Sequence, residues 1–407
     1  MIRKIVISGG WSYGNLGDEI IARCTIELLD KYFPDAIKYY TSYDADNFKK
    51  MHDKDSMESV HSIFEKRKYG INDIAACVEK PQNCGIGEFA DSMNEETLFI
   101  MSGGGYFDGR WENQFAARIT ELELAKKAGA YTAIIGQSIG PLINKRECEL
   151  LKDTLNKCDF INVRDESSKN LIQSVLPGKQ ISCTCDIAIT ISDFLSVQRT
   201  TERSICNLIV QPYTDYVPNG TKVEKNNTLY GKIKKRVLLR QYRYDLAWVK
   251  LLRGLCKVPY KLNIILNVQG TKKIENTYFE KYANKLKRLS RCPDIDILNS
   301  ISVEEFCTRL ANADMIVSCK MHPLIISSSY GVKTYALSQH YKIDAYMKWI
   351  GREKACCRNN KILPKKLISQ LVEESSKKQS ISGDMVSVRK KEVYEMLGKL
   401  AGMVYDI

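Results

Sequence analysis

The stretch MIVSCKMHPLIISSSYGVKTYAL, Met315–Leu337, reads as a strand, a helix and a second strand in one uninterrupted line. Met315–Ser318 is a short apolar β-type run, and Pro323 suits the first turn of a helix. The segment that follows is small and apolar, and Thr334–Leu337 returns to β-type residues. Strands of this kind separated by helical segments make a parallel sheet covered on both faces. The alternation extends along the chain, with apolar runs at Lys4–Ser8, Leu98–Ser102, Tyr131–Gly136 and Phe160–Arg164, then at Cys206–Gln211, Leu262–Val268 and Ile295–Leu298. A chain of 407 residues is too long for one comfortable core. The expectation is an α/β protein of two doubly wound, Rossmann-like domains facing a cleft, at 1–195 and 196–380, with a C-terminal helix at 381–407. The boundary falls near Ile191–Thr201, where polar residues precede a new apolar strand. The last helix, read at Val386–Val404, can pack back across the domains. In open sheets ligands bind beyond the carboxyl ends of the strands, so the motifs should line one crevice.

Composition narrows the functional classes. With 44% hydrophobic and 27% charged residues the chain is an ordinary globular protein. Its 61 basic against 48 acidic residues leave a formal charge of +13, which favours anionic partners such as acidic lipid head groups or phosphorylated substrates. No zinc-finger or RNA-binding signature interrupts the α/β pattern, so no nucleic-acid partner is expected. The fourteen cysteines are scattered through strand-like segments, as Cys24, Cys77, Cys206 and Cys319 are, and the expectation is buried thiols in a reducing cytoplasm. Their spacing holds no structural zinc, and no metal is expected. The opening MIRKIVISGG has too short an apolar core for a signal peptide, and no run reaches the ~18 apolar residues of a membrane span.

Three glycine-bearing turns follow strands in the first half. In ISGGWSYGNLGDEII, residues 7–21, Gly9, Gly10, Gly14 and Gly17 let the backbone approach an anion at a helix start. The spacing is neither a Walker loop nor a dinucleotide fingerprint. Asp18 and Glu19 then fall in the first helical turn, where the helix dipole alone favours carboxylates; a ligand role is an equal reading. In FIMSGGGYFDG the triplet Gly103-Gly104-Gly105 is read as a tight turn, with Tyr106 and Asp108 in the loop beyond it. In IIGQSIGPL a third strand ends at Gly136, presenting Gln137, Ser138 and Gly140. Arg164 closes a fourth strand; it either pairs with Asp165 or Glu166 or turns its planar fork to a carboxylate or phosphate ligand.

Lys320 and His322 sit at the carboxyl end of Met315–Ser318, before a helix whose Ser327, Ser328 and Ser329 permit close packing. A lone histidine is more often structural than catalytic, but a cation beside it at a helix start makes a catalytic role an equal reading. One further stretch, Lys232–Lys257, carries nine basic residues against one acid among Leu, Trp, Tyr and Val. It reads either as a solvated helix face or as a surface for anionic lipid or a lipid-linked diphosphate.

Taken in order, the loop with Asn15-x-Gly17-Asp18-Glu19, the Gly103-Gly104-Gly105 turn, Gly136-Gln137-x-x-Gly140-Pro141, Arg164-Asp165 and Lys320-x-His322 resemble the polysaccharide pyruvyl transferase family. Gly331-Val-Lys333 and Tyr341-Lys342 are similar to a later segment of that family. The family commonly has Arg-x-His where this chain has Lys320-x-His322; lysine keeps the charge without the planar fork. Its Asp-Pro segment stands here as Asp186-Ile187.

The resemblance implies a GT-B-like fold and transfer of pyruvate from phosphoenolpyruvate, as co-substrate and with no cofactor, to a sugar as a cyclic ketal. Phosphoenolpyruvate carries a carboxylate and a phosphate, for which Arg164, Lys320 and His322 are the candidate donor ligands. His322 and Asp18 are the candidate catalytic groups. Gly14, Asn15, Gly17, Asp18, Gly104, Gly105, Tyr106 and Gln137 are the candidate acceptor- or anion-binding residues. A hexose such as galactose, free or on a polyprenyl diphosphate, is the expected acceptor, and a cytoplasmic protein that touches the inner membrane face through Lys232–Lys257 the expected setting. The rival readings are a sugar-nucleotide glycosyltransferase of the same fold and a non-catalytic assembly protein. The first expects a carboxylate late in the second domain to hold a sugar, and His322–Lys333 has none.

Overall fold

The structure, a computed structural model, describes residues 2–198, 204–212, 227–269, 273–358, 369 and 383–405; the side chains of 227–240, 269, 273–277, 358 and 383 lie outside that description. The end of the expected boundary segment, 199–201, also lies outside it. The chain divides into two compact units, Met1–Thr190 with Arg389–Ile407, and Ile191–Val388.

In the first unit the described strands are β1 (Lys4–Ser8), β2 (Ile37–Ser42), β3 (Ser56–Glu58), β4 (Thr97–Met101), β5 (Gly104–Phe107), β6 (Tyr131–Ile139), β7 (Phe160–Val163) and β8 (Ser182–Cys183). They form one parallel sheet in the order β3-β2-β1-β4-β6-β7-β8, with β5 paired to β6. Ile5, Val6 and Ile7 of β1 are fully buried, as a central strand covered on both faces requires. The chain runs outward from β1 to β3 and returns on the other side at β4, so the topological switch point lies between β1 and β4.

The second unit repeats the plan with β9 (Ile205–Ile209), β10 (Lys261–Gln269), β11 (Asp296–Ser300), β12 (Met315–Ser318), β13 (Lys333–Ser338) and β14 (Cys356–Arg358), ordered β11-β10-β9-β12-β13-β14. Its switch point lies between β9 and β12, which pair in parallel from Met315 with Cys206 to Ser318 with Ile209.

Every strand expected from the apolar runs is present. Five described strands had no such signal. β2 exposes Ile37 and Tyr39 in its first half and buries Tyr40, Thr41 and Ser42, two of them polar, in its second, β5 is half glycine, and β3, β8 and β14 are two or three residues long. Two local readings are corrected. Gly104–Phe107 is a short strand where a loop was expected, and β6 runs on through Gln137 and Ser138 because their backbone pairs with β5 and β7.

The C-terminal helix, Gly383–Tyr405, buries Val393, Leu397, Leu400 and Val404. Within the first unit the Tyr32 hydroxyl donates to the Tyr394 carbonyl at 2.9 Å, and Lys31 lies 4.5 Å from the Tyr394 ring centre. The all-thiol expectation is also corrected. Cys256 and Cys292, 36 residues apart, form a disulfide with a Cα–Cα distance of 6.6 Å, a pairing made by the fold and invisible in the spacing. Among the described residues no helix is long and apolar enough to cross a membrane.

Candidate active site

At the first switch point the backbone turns after β1 through Ser8, Gly9 and Gly10 and enters the helix Leu16–Tyr32. Asn15 is its N-cap: the side-chain oxygen accepts from Gly17 N at 3.0 Å, and Nδ2 donates to Asp18 Oδ2 at 3.0 Å. Such a cap contributes about 1 kcal/mol. Gly14 sits at φ 107, in the region that favours glycine. Asp18 is half-buried in the first turn. Glu19 turns inward instead: it accepts from Ser12 N at 2.6 Å and lies 3.0 Å from Nε2 of the equally buried His52.

Gly10 and Gly104 make room for the ring of Tyr106. A Cβ on Gly10 would stand 2.4 Å from that ring, and one on Gly104, at φ 152, 2.2 Å from it. Behind the ring, Arg118 of the helix Glu112–Lys127 is fully buried, with its guanidinium carbon 5.1 Å from the ring centre. Its fork donates to Ser8 Oγ at 2.6 Å, to both oxygens of Glu121 at 3.0 and 2.8 Å, and to the Gly9 carbonyl at 3.1 Å. Burial raises the Glu121 pKa against the pull of Arg118, a mark of how dry this pair is. The Tyr106 hydroxyl is buried beside Gly10; burial first and Asp18 second raise its pKa overall, against a backbone hydrogen bond with Gly10 that lowers it.

Gly9, Gly10, Asp18 and Tyr106 line a cleft of about 380 Å³ at the carboxyl ends of β1, β2 and β3. The aromatic wall is Tyr13, Tyr43 and Trp111; the Tyr13 and Tyr43 rings meet edge to face at 4.7 Å, and Trp111 is 53% exposed. The Tyr43 hydroxyl donates to Glu65, which raises its pKa further than burial alone. His61 completes this wall, and burial, reinforced by Arg118, pushes its pKa down to about 3. It is therefore a neutral imidazole at ordinary pH.

The remaining candidates of this unit fall nearby without lining the cleft. Gly17 is buried in the first helical turn, and Gly105 is a half-buried residue of β5. Gln137 is buried; its Nε2 donates to the Ser102 carbonyl and its Oε1 accepts weakly from Tyr106 N at 3.4 Å, so it braces the turn that carries Tyr106. Arg164, buried, donates from Nε to Ser138 Oγ at 2.8 Å and from its fork to Asp186, which raises its pKa against the opposing effect of burial. Asp165 caps the helix Glu166–Val175 through Ser168 N at 2.8 Å. The carboxylate in ion-pair contact with Arg164 is thus that of Asp186, from beyond β8.

At the second switch point, Ser318 ends β12 and its hydroxyl binds Lys320 twice, accepting from its N–H at 2.9 Å and donating to its carbonyl at 2.9 Å. Cys319 N donates to the Ile209 carbonyl at 3.2 Å, tying the turn to the end of β9. Lys320 is the N-cap of the helix Met321–Ser329, and no side-chain hydrogen bond from it caps the helix. Its ammonium lies 6.0 Å from the Phe279 ring centre. His322 and Pro323 occupy the first turn. The neighbouring strand repeats the device: Ser338 Oγ donates to the His340 carbonyl at 3.1 Å, and His340 Nδ1 accepts from Lys342 N at 3.3 Å, capping the helix Tyr341–Trp349. Two helix starts therefore open side by side beyond β12 and β13. Oriented amides, Lys320 and two imidazoles suit an anion.

Sequence reasoning misses Tyr13, Tyr43, His61, Glu65, Trp111, Arg118 and His340. Tyr43 and Trp111 come from turns after strands that carry no apolar signal, and His61, Glu65 and Arg118 from helices whose spacing does not mark them. His340 does have a signal: it follows the apolar run Thr334–Leu337 as His322 follows Met315–Ser318.

The family model described as polysaccharide pyruvyl transferase matches residues 15–341, a span that includes the Asn15 cap, Arg164 and Lys320-x-His322. Among curated proteins none matches the chain. Solved structures are similar in fold at low identity. OtsA, a trehalose-6-phosphate synthase, has a TM-score of 0.58 at 8% identity over 99% of each chain. A trehalose-6-phosphate structure from E. coli bound with UDP-2-fluoro glucose has 0.55 at 9%, again over 99% of each. S. aureus MnaA, solved with UDP, has 0.55 at 9% over 98% of this chain and 94% of its own. These likenesses establish a GT-B-like fold of two parallel-sheet domains and carry no substrate across. With that fold, and with a match running from the cap of the first helix to the helix after β13, the chain belongs to the polysaccharide pyruvyl transferase family.

Proposed function

We propose that this transferase moves pyruvate from phosphoenolpyruvate onto two hydroxyls of one sugar residue, closing a cyclic ketal during surface polysaccharide biosynthesis. The observation that carries the reading is the second switch point, where Lys320 and His322 stand at a helix start that lacks a side-chain cap from its N-cap residue. A donor with a carboxylate and a phosphate is held best by such amides and cations. Arg164, its fork oriented by Ser138 and Asp186, is the candidate anion ligand of the first unit.

In the reaction the methylene carbon of the donor takes a proton as the first sugar hydroxyl attacks C2. The C2–O bond to phosphate then breaks, and the second hydroxyl closes the ring. Of the two hydroxyl protons lost, one balances the new methyl group and the other leaves with phosphate. His322 is the group we assign to proton transfer or to the departing phosphate, and Asp18 to the acceptor hydroxyl; a positioned acid or base supplies about 10²–10⁴-fold. The acceptor is a hexose such as galactose, carried on a polyprenyl diphosphate at the cytoplasmic membrane face. The helix Asn227–Leu255 contains most of the basic stretch Lys232–Lys257, and its side chains 232–240 lie outside the described residues.

The test is phosphate release from phosphoenolpyruvate by the purified protein with lipid-linked galactose-, glucose- and mannosamine-ended acceptors, with mass spectrometry of the product. The expected result is acceptor-dependent phosphate and a product heavier by one pyruvate ketal. Turnover of a sugar nucleotide in its place would overturn the reading.

A further inference from the structure

We infer that Tyr244 is a positioning residue of the second switch point: its phenol links the two turns that lead into the helix starts at Lys320 and His340, and so sets their spacing for one anion. The inference rests on the proposed function in calling that anion the donor. Lys320 and His340 are the N-cap residues of the helices Met321–Ser329 and Tyr341–Trp349. The residue before each of them, Cys319 or Gln339, meets the same hydroxyl. Gln339 Nε2 donates to the Tyr244 oxygen, and the Tyr244 hydroxyl is hydrogen-bonded in turn to the Cys319 thiol. Cys319 Sγ donates to the Ile209 carbonyl at 3.3 Å, at the end of β9.

The count of protons gives this chain a direction. Burial holds the Tyr244 pKa well above its ordinary value and raises that of Cys319, so both groups keep their protons. An amide nitrogen only donates, and the single thiol proton is spent on Ile209, so the phenol accepts from Gln339 and donates to Cys319. Four groups from two helix starts, one helix and one strand end are thereby joined in a line, and such a line acts as a unit.

The link stands where the backbone ladder stops. β12 and β13 pair in parallel up to Ser318 opposite Ala336, and the turns that carry Lys320 and His340 lie beyond that pair. Tyr244 reaches them from the helix Asn227–Leu255, fully buried, with its ring edge-on to Trp248 at 6.3 Å. The neighbouring helix Lys273–Ser290 brings Phe279 to 6.0 Å from the Lys320 ammonium. Tyr282 of that helix donates its hydroxyl to Asp245 at 2.7 Å, a bond that ties the two helices to each other. Tyr244 and Tyr282 are thus similarly buried phenols with different tasks.

The experiment compares Tyr244→Phe, Gln339→Met, the two combined, and Tyr282→Phe in the full chain, by steady-state phosphate release from phosphoenolpyruvate and by amide exchange over 318–323 and 338–343. Tyr244→Phe should raise the KM for phosphoenolpyruvate ~10-fold with kcat within about 3-fold of the parent, the pattern of lost ground-state positioning, and should speed exchange at both turns. Gln339→Met should reproduce the KM shift, and the combined variant should add less than ~3-fold to it, because both changes cut one link. Tyr282→Phe should lower the thermal midpoint and leave KM unmoved. A parental KM in folded Tyr244→Phe, full multiplication of the two single effects, or an equal KM shift in Tyr282→Phe would overturn the inference. If Tyr244→Phe does not fold, Gln339→Met against Tyr282→Phe decides it by the same criteria. A parent that releases no phosphate from phosphoenolpyruvate would sink the proposed reaction, and exchange then decides the inference: faster exchange at both turns in Tyr244→Phe but not in Tyr282→Phe sustains it, and any other pattern overturns it.

Discussion

The two switch points are built on one topology and have opposite chemistry. Each lies where a sheet reverses its winding, between β1 and β4 in the first unit and between β9 and β12 in the second. The first is rimmed by carboxylates and aromatic rings, and its one deep cation among the described residues, Arg118, is consumed by buried partners. The second presents Lys320 and His322 at a helix start. Topology thus fixes where ligands can bind, and a few side chains at strand ends decide which. Charge of the same sign stands in different settings in the two: Arg118 is buried in an ion pair with Glu121, and Lys320 is at a helix start, where we propose a ligand role for it.

The sharpest way to break this contrast is to remove the imidazole of the second switch point. His322→Ala should lower turnover of phosphoenolpyruvate by about 10²–10⁴-fold while leaving the thermal midpoint close to that of the parent; full turnover in a folded variant would remove His322 from the mechanism. Arg118→Leu should act in the reverse sense, on stability. Breaking a buried ion pair typically costs about 3–5 kcal/mol, readable from urea unfolding. The cost also has a pH signature. Without Arg118, the buried Glu121 would favour its protonated form, with a folded pKa raised above 4.5, so the stability of this variant should fall as pH rises beyond that value. An equal cost at all pH values would mean that Glu121 is not the partner that matters.

The smallest effect expected concerns His61. Its folded pKa of about 3 lies below the ordinary 6.5, so between these values the unfolded chain takes up a proton that the fold refuses. Stability should therefore decline as pH falls from 6.5 towards 3. His61→Gln should flatten that acid limb; an unchanged limb would show that the imidazole is better solvated than its burial implies.

The legibility of these features in the sequence follows from burial. Lys4–Ser8 and Met315–Ser318 are readable to the residue because strands of covered parallel sheets are continuous apolar runs. Lys320 and His322 are legible because they stand directly after such a run. Trp111, Tyr43 and Glu65 are not, since they reach the cleft from turns and a helix whose spacing carries no periodic mark. Tyr106 is marked by its glycines, but its position over Arg118 depends on a contact with a residue twelve positions further on, inside a helix whose buried face includes charge. Arg164 at a strand end favours a ligand role on its sequence context, and the fold first gives it Asp186, 22 residues away.

The C-terminal helix bears on how the protein is made. Residues from Arg389 onward belong to the first unit, while the whole of Ile191–Val388 is synthesised before them. Val393, Leu397 and Leu400 are fully buried there. On the ribosome, then, the domain that begins first cannot finish first: its early strands and helices must wait, with an apolar seam unsealed, until the second domain has emerged. A nascent chain in that state is a substrate for chaperones, and a fragment ending at Thr190 would carry the same exposed seam permanently.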